Sequence, residues 1–272
     1  MKTVSKIYSS LVFIFLYAPI LVLIIFSFNN SKSRVSWSGF TFKWYKMLFE
    51  DEQILMALSN TLIIAILSAI FATVIGTVAA IGIMNLNKWV KRAVMNMTNI
   101  PMANPEIVTG VSLMLLFVFL YENFNILKPG MVTLILAHIT FCLPYVILSV
   151  MPKLRQMDSH LYEAAQDLGC PPVKSFFKVV LPEITPGIVT GMMMSFTLSI
   201  DDFVISYFVS GTTQTLPIAI YSMTRKIVSP EINALSTLLF AVILVLLIII
   251  NMRQINEKKM ELKTKQKGAS IK

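Results

Sequence analysis

The sequence predicts an all-α integral membrane protein with six transmembrane helices and both termini on the cytoplasmic side. Composition is the first reason: 56% of the 272 residues are hydrophobic and only 14% are charged. That balance lies outside the range of soluble globular domains, so lipid is the solvent of the core. The second is length, because six apolar runs at 7–28, 61–84, 103–121, 131–151, 184–209 and 234–251 can each cross a hydrocarbon layer of ~30 Å, which takes roughly 20 helical residues. The third is the placement of basic residues, which resist translocation. With the N-terminus inside, the cytoplasmic segments hold Lys2 and Lys6, then Lys88, Lys91 and Arg92, then four residues from Lys153 to Lys178, then seven from Arg253 to Lys272. The outer segments hold seven. The net charge of +9 is therefore mostly a topology signal, and dispersed cations without aromatic interleaving do not describe a nucleic-acid surface.

The first run follows a basic start, as a signal peptide does, yet it stays apolar for about 22 residues and no small-x-small cleavage site follows it. It is expected to remain as a helix. The outer stretch 29–60 carries Phe40, Trp44, Tyr45, Met47 and Leu48 at helical spacing, which predicts a short interfacial helix. This helix serves either as an aromatic anchor for the second span or as a landing surface for an external protein. The third span is interrupted by Pro101 and Pro105, and broken helices commonly border transport pathways. Glu106 follows the break as a candidate pathway residue, although Asn104, Pro105 and Glu106 also read as an ordinary helix start. His138 in the fourth span is expected to be a hydrogen-bonded core residue. Cys142 and Cys170 are too differently placed for a disulfide or metal site.

Between the fourth and fifth spans, residues 152–183 form a long segment with its own helical pattern, and long loops in compact proteins usually carry function. The segment reads Glu163-Ala164-Ala165, three residues, Gly169, nine residues, then Val179-Val180-Leu181-Pro182. Small alanines allow close approach of a partner. Gly169 takes a positive φ to reverse the chain, Pro171 and Pro172 suit the first turn of a second helix, and Pro182 is expected to end it. The pattern resembles the EAA loop of the permeases of binding-protein-dependent ABC importers, with Val179 in place of the usual isoleucine. That resemblance implies the type I importer permease architecture, with Glu163, Ala164, Ala165, Leu168, Gly169 and Pro182 coupling the chain to a separate ATPase. The stretch from Gly169 to Ser175 has Val173 where a phosphate loop needs glycine before its lysine, so the chain binds no ATP by that motif. ATP and Mg²⁺ are expected on the partner, and no cofactor on this chain.

The fifth span carries Asp201 and Asp202, and a charge at membrane depth costs roughly 3 kcal/mol unless hydrated or paired. Adjacent residues on a continuous helix diverge by about 100°. Ser195, Ser199, Asp202 and Ser206 then share one polar stripe, making Asp202 the first candidate for a pathway carboxylate and Asp201 the second. Gly187 and Gly191 offer a face for close helix packing. The alternative for the pair is a structural network that holds helices together. The tail at 253–272 is read as a solvated basic segment.

Three stretches, 41–49, 138–150 and 195–211, resemble the spermidine/putrescine permeases of the same family. The resemblance implies polyamine import across a bacterial cytoplasmic (inner) membrane, with a second homologous permease, an ATPase dimer and an external polyamine-binding protein as partners. Import of ferric ion or an organophosphonate is the alternative within the class. Outside it, an intramembrane aspartyl protease would need two carboxylates sharing a proton, normally from separate helices. A passive channel would have no use for an ATPase docking loop.

Overall fold

The computed structural model describes residues 2–31, 36–158, 160–225, 230–245, 248 and 252. The predicted tail at 253–272 and most of the last residues of the sixth run lie outside the described residues. What is described is almost entirely helical, with one isolated bridge between Asn29 and Phe40. Five helical runs are long and apolar enough to cross a membrane, namely Lys6–Ser27, Glu52–Met84, Glu106–Phe124, Met131–Gln156 and Pro172–Asp201, and the shorter Glu231–Val245 is the described part of the sixth.

The chain divides into two compact units, residues 1–55 with 220–272 and residues 56–219. In the first, α1 (Lys2–Ser27) leads through an ordered corner into the predicted short helix, α2 (Lys43–Glu50). Asn29 organises the corner: its side chain donates to the Ser36 carbonyl and accepts from the Ser38 amide, while its own carbonyl accepts from the Trp44 indole at 2.7 Å. Trp44 and Leu48 are buried, and Phe40 sits outside the helix, stacked on Phe28.

The second span begins earlier than the hydropathy suggests. α3 runs Glu52–Met84 because the Asp51 carboxylate accepts from the Gln53 and Ile54 amides, capping a polar first turn that the apolar run omits. The third span also differs. Its first residue, Ala103, ends α4 (Lys88–Ala103), an unpredicted amphipathic helix, and residues 104 and 105 form the break before α5 (Glu106–Phe124). Pro105 occupies the N-cap position without a side-chain cap, so Asn104 does not play the capping role its sequence suggests. α6 (Met131–Gln156) passes through Pro144 and Pro152, extending five residues into the stretch read as loop, with Lys153 and Arg155 complementing the negative end of its dipole.

The core of the second unit forms where α3, α6 and α9 (Leu181–Asp201) meet. Glycines set the spacing. A Cβ at Gly76 would lie 2.8 Å from Val146, and one at Gly191 would lie 3.1 Å from the Val146 Cα, so Val146 is held between glycines of two helices. At Gly187 an added Cβ would meet the Ser149 carbonyl at 2.8 Å. The glycine pair predicted for close packing is thus the contact surface between α9 and α6.

Candidate functional site

Two groups of candidate residues lie at opposite ends of one helical rod. At one end, α7 (His160–Asp167) carries Glu163, Ala164 and Ala165 on its short length. It closes on Gly169 at φ +81, with the Gly169 amide donating to Gln166 and the Cys170 amide to the Ala165 carbonyl. This paired bonding is a Schellman closure, which consumes the last free carbonyls of the helix and requires the left-handed conformation that glycine adopts without strain. Pro171 then sits at the N-cap and Pro172 at the first position of α8 (Pro172–Ser175). Leu168 at the tip is 89% exposed, and Leu161, Val173 and Phe177 are exposed beside it. Glu163, Tyr162 and Phe176 face Met84, Leu154 and neighbouring residues at the base of α3 and α6 across a cavity of 430 Å³.

Pro182 does not end the second helix. Residues Phe176–Val180 form a π-helical turn, the Leu181 amide donates to the Phe176 carbonyl five residues back, and α9 continues without interruption. Proline has no amide proton and its ring crowds the carbonyl four residues earlier. A π-turn placed just before it absorbs both defects by shifting the hydrogen-bond register. The helical run from Pro172 to Asp201 therefore covers 30 residues, about 45 Å at 1.5 Å per residue.

At the far end the expected continuous fifth helix stops. Asp202 adopts an extended conformation (ψ 116) and a separate short helix, α10 (Val204–Val209), follows. This break separates the two acids more completely than helical geometry would. Asp202 turns inward: its carboxylate accepts from the Ile205 and Ser206 amides at 3.3 and 2.8 Å and from the Ser206 hydroxyl at 2.9 Å. His138 from α6 joins them, with Nε2 3.0 Å from Ser206 Oγ and 3.4 Å from the Asp202 carboxylate, and Nδ1 2.6 Å from Ser199 Oγ. Ser68 of α3 reaches Ser199 at 3.2 Å. Every one of these side chains is buried. In lipid the opening amides of α10 have no water to turn to, and Asp202 satisfies them as a capping residue does. Ser195, Ser199, Asp202 and Ser206 are all buried inside the unit, and because the helix stops at Asp201 they do not form the expected stripe along one continuous helix. His138 is the hydrogen-bonded core residue its position suggested.

Asp201, by contrast, is exposed, as is Glu106 at the start of α5. The two helix breaks lie close together. One turn into α5, a Cβ at Gly110 would touch Phe208 at 3.0 Å and the Ile205 Cα at 3.4 Å, so the start of α5 packs along α10. Glu106 is within electrostatic reach of both aspartates, and partly exposed Tyr145 of α6 is within reach of Glu106. Tyr145 was not among the residues singled out from sequence, because an aromatic in an apolar helix carries no signal until the acid beside it is known. Asp202 is buried and bonded to its own network, whereas Asp201 is exposed.

The match to known proteins agrees with this architecture. Residues 72–261 match the family model described as "Binding-protein-dependent transport system inner membrane component". The chain is 42% identical over 234 residues to the putrescine transport system permease protein PotI of Escherichia coli K12, covering 85% of this chain and 83% of that one. It is 40% identical over 238 residues to the spermidine/putrescine transport system permease protein PotC of the same strain, covering 87% and 88%. Among solved structures, a bacterial ABC transporter that imports alginate superposes with a TM-score of 0.72 at 17% identity, covering 92% of this chain and 94% of that one. An amino acid ABC transporter superposes at 0.57 with 18% identity, covering 77% and 96%. The likeness in structure shows the fold, and the sequence matches show the family: this chain is a membrane-spanning permease that belongs to the inner membrane components of binding-protein-dependent transport systems.

Proposed function

We propose that this chain is one permease subunit of an ATP-driven polyamine importer, working with a second homologous permease, an ATPase dimer and an external polyamine-binding protein. The observation that carries the reading is the continuous helix from Pro172 to Asp201, which joins the EAA-type element to an exposed acid at the break. A displacement of Leu168 and the alanines by an ATPase would be delivered along a stiff rod, and the cavity beneath Glu163 leaves space for the element to move toward the bundle. ATP and Mg²⁺ belong to the partner, and this chain performs no covalent chemistry.

Polyamines as cargo are supported by the identity to the putrescine and spermidine/putrescine permeases and by the chemistry of the break. Asp201 and Glu106 supply exposed carboxylates for ammonium groups, and a charge-assisted hydrogen bond contributes about 1.5–3 kcal/mol. Tyr145 adds an aromatic face suited to cations. Asp202, Ser195 and Ser199 serve this pathway by shaping its wall. The test is uptake of labelled putrescine and spermidine by proteoliposomes containing the complete complex, with ATP hydrolysis measured in parallel. Stimulation of both by either polyamine is expected, and absence of stimulation with an assembled complex would refute the cargo assignment while leaving the permease family untouched.

A further inference from the structure

The amphipathic helix α4 has one face turned to the bundle and another that no part of its unit covers. Lys91, Val94, Met95 and Thr98 recur at three- and four-residue steps and are its partly covered residues. Val94 and Met95 pack on the core, and the Lys91 ammonium donates to the Met84 carbonyl at 3.2 Å. No α4 residue is fully buried. The opposite face is graded along its length. It starts with Lys88, Trp89 and Arg92, the guanidinium lying 5.5 Å from the Trp89 ring centroid and the indole 81% exposed. Asn96 follows, and then Met97 and Ile100, both exposed.

Three residues separate α4 from Met84, where the apolar α3 ends, so Lys88 lies at a membrane boundary. From there the face runs from cationic and aromatic to apolar over 12 residues, about 18 Å, which is long enough to leave the headgroup layer and enter hydrocarbon. A soluble partner offers no such gradient. α4 contains no acidic residue, so its outward cations have no counter-charge within their own helix, and anionic headgroups are their electrostatic complement.

We propose that the outward face of α4 docks on the bilayer and that Lys88 and Arg92, flanking Trp89, bind the phosphates of anionic phospholipids. The experiment uses the full-length chain with the subunits that copurify with it, in nanodiscs of mixed phosphatidylcholine and phosphatidylglycerol in which one lipid or the other carries brominated acyl chains. Quenching at Trp89 is the difference between the wild type and W89F. Brominated phosphatidylglycerol is expected to quench more strongly than brominated phosphatidylcholine at equal mole fraction, by about five-fold for each cation in contact. The preference should fall toward parity in K88Q/R92Q, survive in R92K, and shrink with added salt in the wild type. Equal quenching by the two lipids, or a preference independent of salt, would overturn headgroup binding. No quenching by either lipid would mean that another protein subunit covers the face, and would overturn the proposal entirely.

Discussion

The two ends of the α9 rod are built on opposite principles. The end that carries Glu163, Ala164 and Gly169 is exposed and mixes polar with apolar side chains, and its shape rests on local backbone geometry, since nothing lies within 4 Å of a Cβ added at Gly169. The end at Asp202 is buried and polar, and its shape rests on a relay in which Ser68 of α3 meets Ser199 of α9, Ser199 meets His138 of α6, and His138 and Ser206 of α10 meet the carboxylate. The first is the surface that the proposed function assigns to an ATPase. The second is a joint whose geometry is held from inside, and which presents Asp201 outward as a consequence. One end thus carries an exposed reversal set by its own backbone, and the other a buried hydrogen-bonded network.

Substitutions at the two ends should therefore fail in different ways. The largest loss of stability is expected for Asp202→Ala, which strands the opening amides of α10 and removes a partner of His138. Removing one member of a buried charged network costs roughly 3–5 kcal/mol, so the thermal midpoint and the yield of folded protein in detergent should drop sharply. Asp202→Asn keeps an acceptor oxygen and should recover part of the loss. If Asp202→Ala were as stable as the wild type, the joint would not depend on the capping carboxylate. Gly187→Val tests the rod between the ends. With the Ser149 carbonyl 2.8 Å from the new Cβ, overpacking of about 1–3 kcal/mol is expected, read as a lowered midpoint together with weakened transport.

At the exposed end, Gly169→Ala imposes the left-handed strain of a non-glycine residue, about 1 kcal/mol. The midpoint should shift by a few degrees at most while uptake by the assembled complex falls several-fold. A proportional loss of stability and uptake would mean that the element is part of the core after all. Asp201→Asn should leave stability closest to the wild type, because the side chain is exposed. Its expected effect is an increase of about ten-fold or more in the polyamine concentration needed for half-maximal uptake, from the loss of one charge-assisted contact. An unchanged concentration dependence would remove Asp201 from the pathway.

Much of the helix-turn-helix element around Gly169 was legible in the sequence because its determinants are local. Gly169 reverses the chain through its own φ, and Pro172 starts a helix through its own ring. Pro182 was read as a terminator because nothing in the residue types announces that a π-turn precedes it. At the other end, helical periodicity grouped Ser195, Ser199 and Asp202 on one face but could not say where that face points or that the helix stops at Asp201. His138 lies 61 residues from Ser199 in the chain, and its imidazole is what joins Ser199 to Ser206. α4 escaped notice for a related reason: polar residues recur along it at Lys88, Lys91, Arg92, Asn96, Thr98 and Asn99, and its first turn was read as a topology signal.

By itself the sequence determined that the chain lives in lipid, where most of its spans lie, and that a helix-turn-helix segment with the EAA-type pattern precedes the fifth of them, since hydropathy and backbone preference act over a few residues. Only the tertiary structure decided that one helical run, Pro172–Asp201, leads from the turn after the motif to Asp201, and that the two adjacent aspartates differ in burial and partners. The role of a carboxylate in an apolar medium depends on which donors reach it, and those donors come from helices that the linear order keeps far apart.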